Sequence, residues 1–234
     1  MSLTGNAPLV APLTGRDTGL ADQGSIYTAS MPTLGTGVIG FATPTSQAIG
    51  ETNPCFTVYN GGSVNIYPLY LRMYVTVIGT TSSTSGIQFT QTTDIGNRSG
   101  GSGTFQTMVI SNTSIGATLT PTGVNPSSFK SGATILVGAN VTTAATSQKR
   151  VVGHMQYRAL LPGVVWDEYG FSWGSPTNFA SGTPLEVAGT PALSRTVGYA
   201  PLVIGPNGFF SIACWFANLT AAPTFHYEFV YGER

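Results

Sequence analysis

Gly170-Phe171-Ser172-Trp173-Gly174 spells GxSxG, the pattern that exposes a hydrolase serine on a sharp turn between a strand and a helix. The residues that follow, Ser175-Pro176-Thr177-Asn178, carry no helical pattern before Gly182, so Ser172 reads as an ordinary strand residue. Asp17-Thr18-Gly19 spells the loop of aspartic proteases, whose chemistry needs two carboxylates sharing a proton on rigid strands. Here it follows Gly15-Arg16 in a Gly- and Pro-rich segment, and no second Asp-Thr-Gly or Asp-Ser-Gly occurs. His154 and His226 are the only histidines; metal sites show tight ligand clusters, and these two read as hydrogen-bonded strand residues. Asp167 and Glu168 are adjacent on a predicted strand, so they point to opposite faces and cannot act as a pair. The run Gly96-Asn97-Arg98-Ser99-Gly100-Gly101-Ser102-Gly103 lacks the Lys and the following helix of a phosphate-binding loop. Sequons at Asn97, Asn112, Asn140 and Asn218 fit chance in a chain so rich in Ser and Thr. No catalytic, cofactor or metal residue is therefore expected, and no enzyme.

The elements that position these residues follow from composition and periodicity. The chain has 234 residues, nine basic and nine acidic, with only 8% charged. Lys130 and Lys149 are the only lysines, which leaves no electrostatic footprint for nucleic acid and no basic patch for an anionic membrane. Apolar content of 41% is enough for a packed core, and the length fits one all-β domain. No uninterrupted apolar run reaches membrane-spanning length. Met1 to Ala11 lacks a basic start followed by an apolar stretch, so no secretory signal is expected. Cys55 and Cys214 each lie in an apolar run and read as two reduced core thiols.

Residues 1–37 read as an extended arm. Pro8, Pro12 and Pro32 alternate with glycines, and no periodicity survives over five residues; such a segment cannot carry a helix. Two readings stay open. It is a disordered terminus, or an arm that orders against a partner through Leu3, Leu9, Val10, Leu13, Leu20 and Ile26. Residues 38–234 form the folded domain.

That domain reads as short strands between turn residues. Strands are expected at Val38–Phe41, Cys55–Tyr59, Val64–Ile78, Ile87–Ile95, Phe105–Ser111, Ala117–Thr120, Ala133–Val141, Arg150–Leu161 and Val164–Trp173. The last are Pro201–Ile204 running into Phe209–Leu219, and Thr224–Tyr231. In the longest, Leu69, Leu71, Met73, Val75 and Val77 alternate with Tyr70, Arg72, Tyr74 and Thr76, a period of two that a helix would not give. Pro68 lacks an N–H, which predicts a sheet edge or a bend there. Without βα alternation, this spacing points to an antiparallel β-sandwich, a single jelly roll. Phe209, Phe210, Ile212, Cys214, Trp215 and Phe216 leave neither face of their strand polar, and Phe225, Tyr227, Phe229 and Tyr231 line one face of the next. A strand apolar on both sides must be covered on both, by a loop, the arm or a neighbouring subunit. Phe209, Trp215, Phe225, Tyr227, Phe229 and Tyr231 are thus candidates for a subunit contact in a homo-oligomer.

Three segments together resemble a known group. They are LYLRMYVTVIGTTSSTSGIQFTQTTDIGNR (69–98), ATSQKRVVGHMQYRALLPGVVWDEYGFSW (145–173) and PLVIGPNGFFSIACWFANLTAAPTFHYEFVYGER (201–234). They resemble small head proteins of tailed bacteriophages that act as capsid decoration, or cement, proteins. The resemblance implies a jelly-roll-like homotrimer, made in the bacterial host cytoplasm. It would sit on the outside of the virion shell, bridging copies of the major capsid protein. It carries over no functional residue. Two alternatives are a single-jelly-roll major capsid protein and a receptor- or glycan-binding module that stacks sugars on Trp166, Trp173 or Trp215. The tryptophans fall in predicted strands, which favours core packing for them.

Overall fold

The computed structural model describes residues 25–33, 36–39, 52–81, 87–98, 106–112, 131–138, 145–157, 165–174, 184–185, 192–215 and 219–234. Among these every regular element is a strand: β1 (Ile26–Ser30), β2 (Val38–Ile39), β3 (Phe56–Asn60), β4 (Ile66–Val77), β5 (Thr80–Thr81), β6 (Ile87–Ile95), β7 (Gln106–Thr107) and β8 (Val109–Asn112). There follow β9 (Ala133–Val137), β10 (Arg150–Tyr157), β11 (Glu168–Trp173), β12 (Pro184–Leu185), β13 (Ala192–Tyr199), β14 (Gly208–Trp215), β15 (Leu219–Ala221) and β16 (Thr224–Glu233).

Two sheets face each other. One runs β12-β13-β11-β4-β16-β1-β8, with β2 added on β16; the other runs β10-β6-β14-β3-β9-β7, and β5 pairs with β15 separately. Eight of these strands define the architecture. Taken in chain order as first to eighth, β1, β3, β4, β6, β10, β11, β14 and β16 pair first with eighth, second with seventh, third with sixth and fourth with fifth, all antiparallel. That nesting is a single jelly roll, as the period-two pattern and turn spacing predict. The exception to the antiparallel rule is β13, which lies parallel to β11.

The core sits between the sheets. On β16, Phe225, Tyr227, Phe229 and Tyr231 alternate with His226, Glu228 and Val230, and all four aromatics are fully buried within this one chain. Phe229 meets Phe56 edge-on at 5.0 Å and stacks on Tyr231 at 5.2 Å, while Trp173 meets Phe210 edge-on at 5.7 Å. A buried aromatic ring is worth about 1.5–3 kcal/mol, and each pairing adds about 0.5–1.5 kcal/mol. The Trp173 indole N–H donates to Gln91 Oε1 at 3.0 Å, satisfying the polar atom that a buried tryptophan brings.

Several expectations need correction. Ile26 belongs to β1, hydrogen-bonded between β16 and β8, so the arm cannot extend to residue 37. Its strand signal is five residues long, too short to stand out between Gly24 and Pro32. Leu3, Leu9, Val10, Leu13 and Leu20 lie outside the described residues, as do Ala117–Thr120. β4 is central in its sheet, but at Pro68 only the β16 side is paired, so the proline stands at a local edge as expected. β16 shifts register between Val230 and Tyr231, opposite this part of β4, and β11 pairs with β4 only from Tyr70 to Tyr74; a bulge tolerates the missing donor. The same bulge turns Leu69 away from the core and into a second cluster with Ile26 and Val230. Val77 is exposed, and Pro201–Ile204 contributes a single bridge, from Ile204 to Ile66. The strand β13, with Gly198 and Arg195 interrupting its apolar pattern, gave no usable period in the sequence.

Removing the ring of Phe229 should cost about 3–5 kcal/mol, the usual range for a buried Phe→Ala change. Urea unfolding of F229A followed by tryptophan fluorescence reads this directly. A change below about 1 kcal/mol would mean the two sheets do not meet at this residue.

Candidate functional surfaces

The residues with chemical potential are dispersed by the sheets. Ser172 is inside β11 and nearly buried, with the backbone extended on both sides of it, and Gly174 turns at φ 74° only after the strand ends. A serine in mid-strand has no nucleophile elbow. His154 is on β10, where its Nδ1 lies 3.0 Å from Thr90 Oγ1 and its ring 5.9 Å from that of Trp215. His226 is on the opposite sheet, on β16, beside the ring of Tyr74 at 6.3 Å. Burial lowers the proton affinity of His226 below the ordinary histidine range, against the pull of Glu228. Among the described residues no three His, Cys, Asp or Glu side chains gather as a metal site would need. Asp167 is buried just before β11, and Glu168, the first residue of that strand, is half-buried. The Asp17-Thr18-Gly19 segment lies outside the described residues.

Among the described residues two ion-paired clusters form, and they differ in kind. On the outer face of the β16-β4-β11 sheet, Arg72 reaches Glu168 at 3.0 Å and Glu228 at 3.6 Å. Its guanidinium also donates to Tyr74 Oη at 2.7 Å and lies within 6.0 Å of the Tyr70 and Tyr74 rings. The Arg72 side chain is two-fifths exposed, and such pairs contribute at most about 1 kcal/mol. It is a solvated face.

The second cluster is buried. Arg98 and Asp94 pair at 3.2 Å with side chains 3% and 0% exposed. Asp94 also accepts from the backbone N–H of Ile95 and of Thr146, each at 2.9 Å, and from the Thr146 hydroxyl. Burial alone would raise its proton affinity, but the Thr146, Ile95 and Arg98 contacts outweigh this and hold the carboxyl below its usual range. The Arg98 guanidinium lies 5.5 Å over the ring of Phe209.

This accounts for the strand that is apolar on both sides. On β14, Phe210, Ile212 and Cys214 face the core. On the other side Phe209 is covered by Arg98, Ser211 bonds Thr92 at 2.8 Å, and the Trp215 indole donates to Thr90 at 3.0 Å. The second cover therefore comes from a loop of the same chain. Phe209, Phe225, Tyr227, Phe229 and Tyr231 are corrected from subunit-contact candidates to interior residues, since none presents surface to a neighbour. Trp215 alone of that set is partly exposed.

Cys55 and Cys214 are free and buried, as read from the sequence. Burial pushes the Cys55 thiol up to about 12 and Cys214 well above its ordinary value, and the Cys55 thiol donates to the Ile212 carbonyl at 3.2 Å. Reactivity requires thiolate and access. The tryptophans divide differently from expectation. Trp173 is core, but Trp166 precedes β11 and is 63% exposed at φ 78°, so core packing does not explain it.

The chain matches no family model, no curated protein and no solved structure.

Asp94→Asn should cost roughly 3–5 kcal/mol, because it strands a buried guanidinium, whereas Glu168→Gln should cost less than about 1 kcal/mol. The pH dependence has a sign. With a lowered folded value, Asp94 contributes stability in full above its unfolded value of about 3.9, and that contribution is lost as pH falls through the folded one. Denaturant titrations at pH 7 and pH 3 should therefore separate D94N from the parent less at the lower pH. Both thiols should resist a thiol-reactive chromophore in the native protein and react stoichiometrically in urea; rapid native labelling of either would contradict the burial.

Proposed function

We propose that the protein is a structural component of a virion, a decoration protein on the outer surface of a bacteriophage head. The observation that carries this reading is the single jelly-roll strand order. That architecture serves viral shells as well as lectins and cupins, and a fold alone does not choose among them. Three features support the shell. The sandwich interior is filled by aromatic side chains bridging the two sheets, which suits a load-bearing wall. The two histidines stand on different sheets, where they cannot share a metal ion or a proton. Balanced charge, with few lysines, fits a protein that meets capsid protein and solvent; phosphate neutralisation draws on Lys and Arg. The segments at 69–98, 145–173 and 201–234 add their resemblance to head decoration proteins.

The mechanism is mechanical. A decoration protein spans a seam between neighbouring capsomers, so that strain in the shell is shared with its own hydrogen-bonded sheets. As a homotrimer it would engage the shell at three symmetry-related points.

Particles lacking the chain should lose infectivity after heat or osmotic shock, and purified chain added back should restore it. Unchanged particles would refute the role. Closed shells assembled by the purified chain alone would identify it instead as a major capsid protein.

A further inference from the structure

We infer that the Glu233 carboxyl is a proton-operated clasp between the two sheets, tight when it carries a proton and looser once it is ionised. The clasp is independent of the virion reading and concerns the closure of the sandwich itself.

Glu233 ends β16 in the first sheet, opposite Ile66 of β4. Its N–H donates to the Ser25 carbonyl at 2.8 Å, just before β1. Its side chain, however, reaches the second sheet. There Oε1 accepts from the Ser131 hydroxyl at 2.5 Å and from the Gly132 N–H at 3.2 Å, the two residues that lead into β9. Gly132 has little room to follow a moving carboxyl. Its carbonyl accepts from the Gly61 N–H at 3.1 Å, and a Cβ on it would come within 2.6 Å of Gly62 Cα. One carboxyl thus joins the last strand of one sheet to the entry of β9 in the other.

The bonding leaves a place for a proton. A serine hydroxyl offers one donor and two acceptor sites. Ser131 gives its proton to Glu233 Oε1 and accepts from the Ala133 N–H at 3.0 Å, so the Tyr231 hydroxyl, 2.6 Å away, donates to it. Each of these bonds arrives at Oε1 or at Ser131, and none requires Oε2. A proton on Oε2 therefore keeps the network whole and removes only the charge.

The charge is the costly part. Glu233 is 7% exposed, and burial without a counter-ion disfavours a carboxylate. Among the described residues no cation pairs with it. Its titratable neighbours are Tyr231 on its own strand, Tyr27 on β1, stacked on Tyr231 at 5.5 Å, and Tyr67 on β4, opposite Gly232. Burial raises Tyr27 and Tyr231, so both phenols stay neutral at physiological pH and supply no positive charge. Arg234 is exposed, its backbone paired with Asn65, and Lys130 lies outside the described residues. Burial accordingly lifts the proton affinity of Glu233 above the ordinary range, against the Ser131, Gly132 and Ala133 bonds. A carboxyl with a raised folded value contributes its full stability below its unfolded value of about 4.3, and that contribution is lost as pH rises through the folded one. Asp94 acts with the opposite sign and at lower pH.

Glu233→Gln tests this, since it keeps the Oε1 acceptor and puts a neutral amide where Oε2 stood. The urea midpoint of E233Q should pull ahead of the parent's as pH rises from about 4 to about 7. Asp94 is common to both chains and cancels in that gap. In the parent, the Gly132 and Ala133 amides should be less protected from hydrogen exchange at the higher pH, after correction for the intrinsic rate. In E233Q that difference should vanish. The Glu233 carboxyl carbon, followed by NMR in the parent, should titrate above the ordinary glutamate value, which tests the clasp even where the variant folds poorly. A midpoint gap that stays constant or narrows with rising pH would overturn the inference. So would a Glu233 titration at or below the ordinary value, the behaviour of a carboxylate held by its hydrogen bonds or by a cation.

Discussion

The structure depends on the alternation of β16. Four aromatic side chains, Phe225, Tyr227, Phe229 and Tyr231, must all leave water on one side of a single strand. That requirement fixes which face of the first sheet looks inward, and with it the faces of β4 and β1, which pair with β16 residue by residue. Because β1 stands near the start of the described chain and β16 at its end, the jelly roll closes only when sequence-distant segments meet. Such non-local closure is slow to form but cooperative once formed.

A second layer of order comes from charge used sparingly. Among the described residues the Arg72 cluster lies where water screens it, whereas Asp94, Arg98, Asp167 and Glu233 are buried. The burial of Asp94 with Arg98 is made tolerable by the Thr146 and Ile95 donors. The ion pair sits over β14, so the strand with no polar face is covered by its own chain. Glycine serves the same economy at Gly153, where a Cβ would come within 2.7 Å of the Tyr199 ring that lies against β10. The β13 strand is thereby folded down onto the edge of the second sheet.

A filled interior leaves function to the outside. Among the described residues, the exposed apolar side chains include Val109, Val151 and Val152 on the edge strands β8 and β10, and Val64, Ile78, Val165, Trp166 and Val203 in the connections. A jelly roll used as a building block needs surfaces that recognise its own copies or a shell, and such surfaces are made of connections whose geometry the rigid strands hold in place.

Period-two alternation in β4, β6, β14 and β16 made the fold class legible, because side-chain direction in a strand is a local property of the backbone. The placement of His154, Ser172, Cys214 and His226 on strands was legible for the same reason. β1 and β13 were not: β1 has only five residues, the pattern of the eight-residue β13 is broken by Arg195 and Gly198, and both are held by pairing with other strands. The apolar second face of β14 was visible, but what covers it was not: the sequence alone left loop, arm and subunit open, and the reach of Arg98 over Phe209 decided it. Trp166 was hidden for a sharper reason. Its residue type suggests a core, and the sign of its φ is set by the bulge that Val75 imposes across the sheet. Local pattern determined which residues could alternate; tertiary pairing decided which faces are buried and which single tryptophan is left in water.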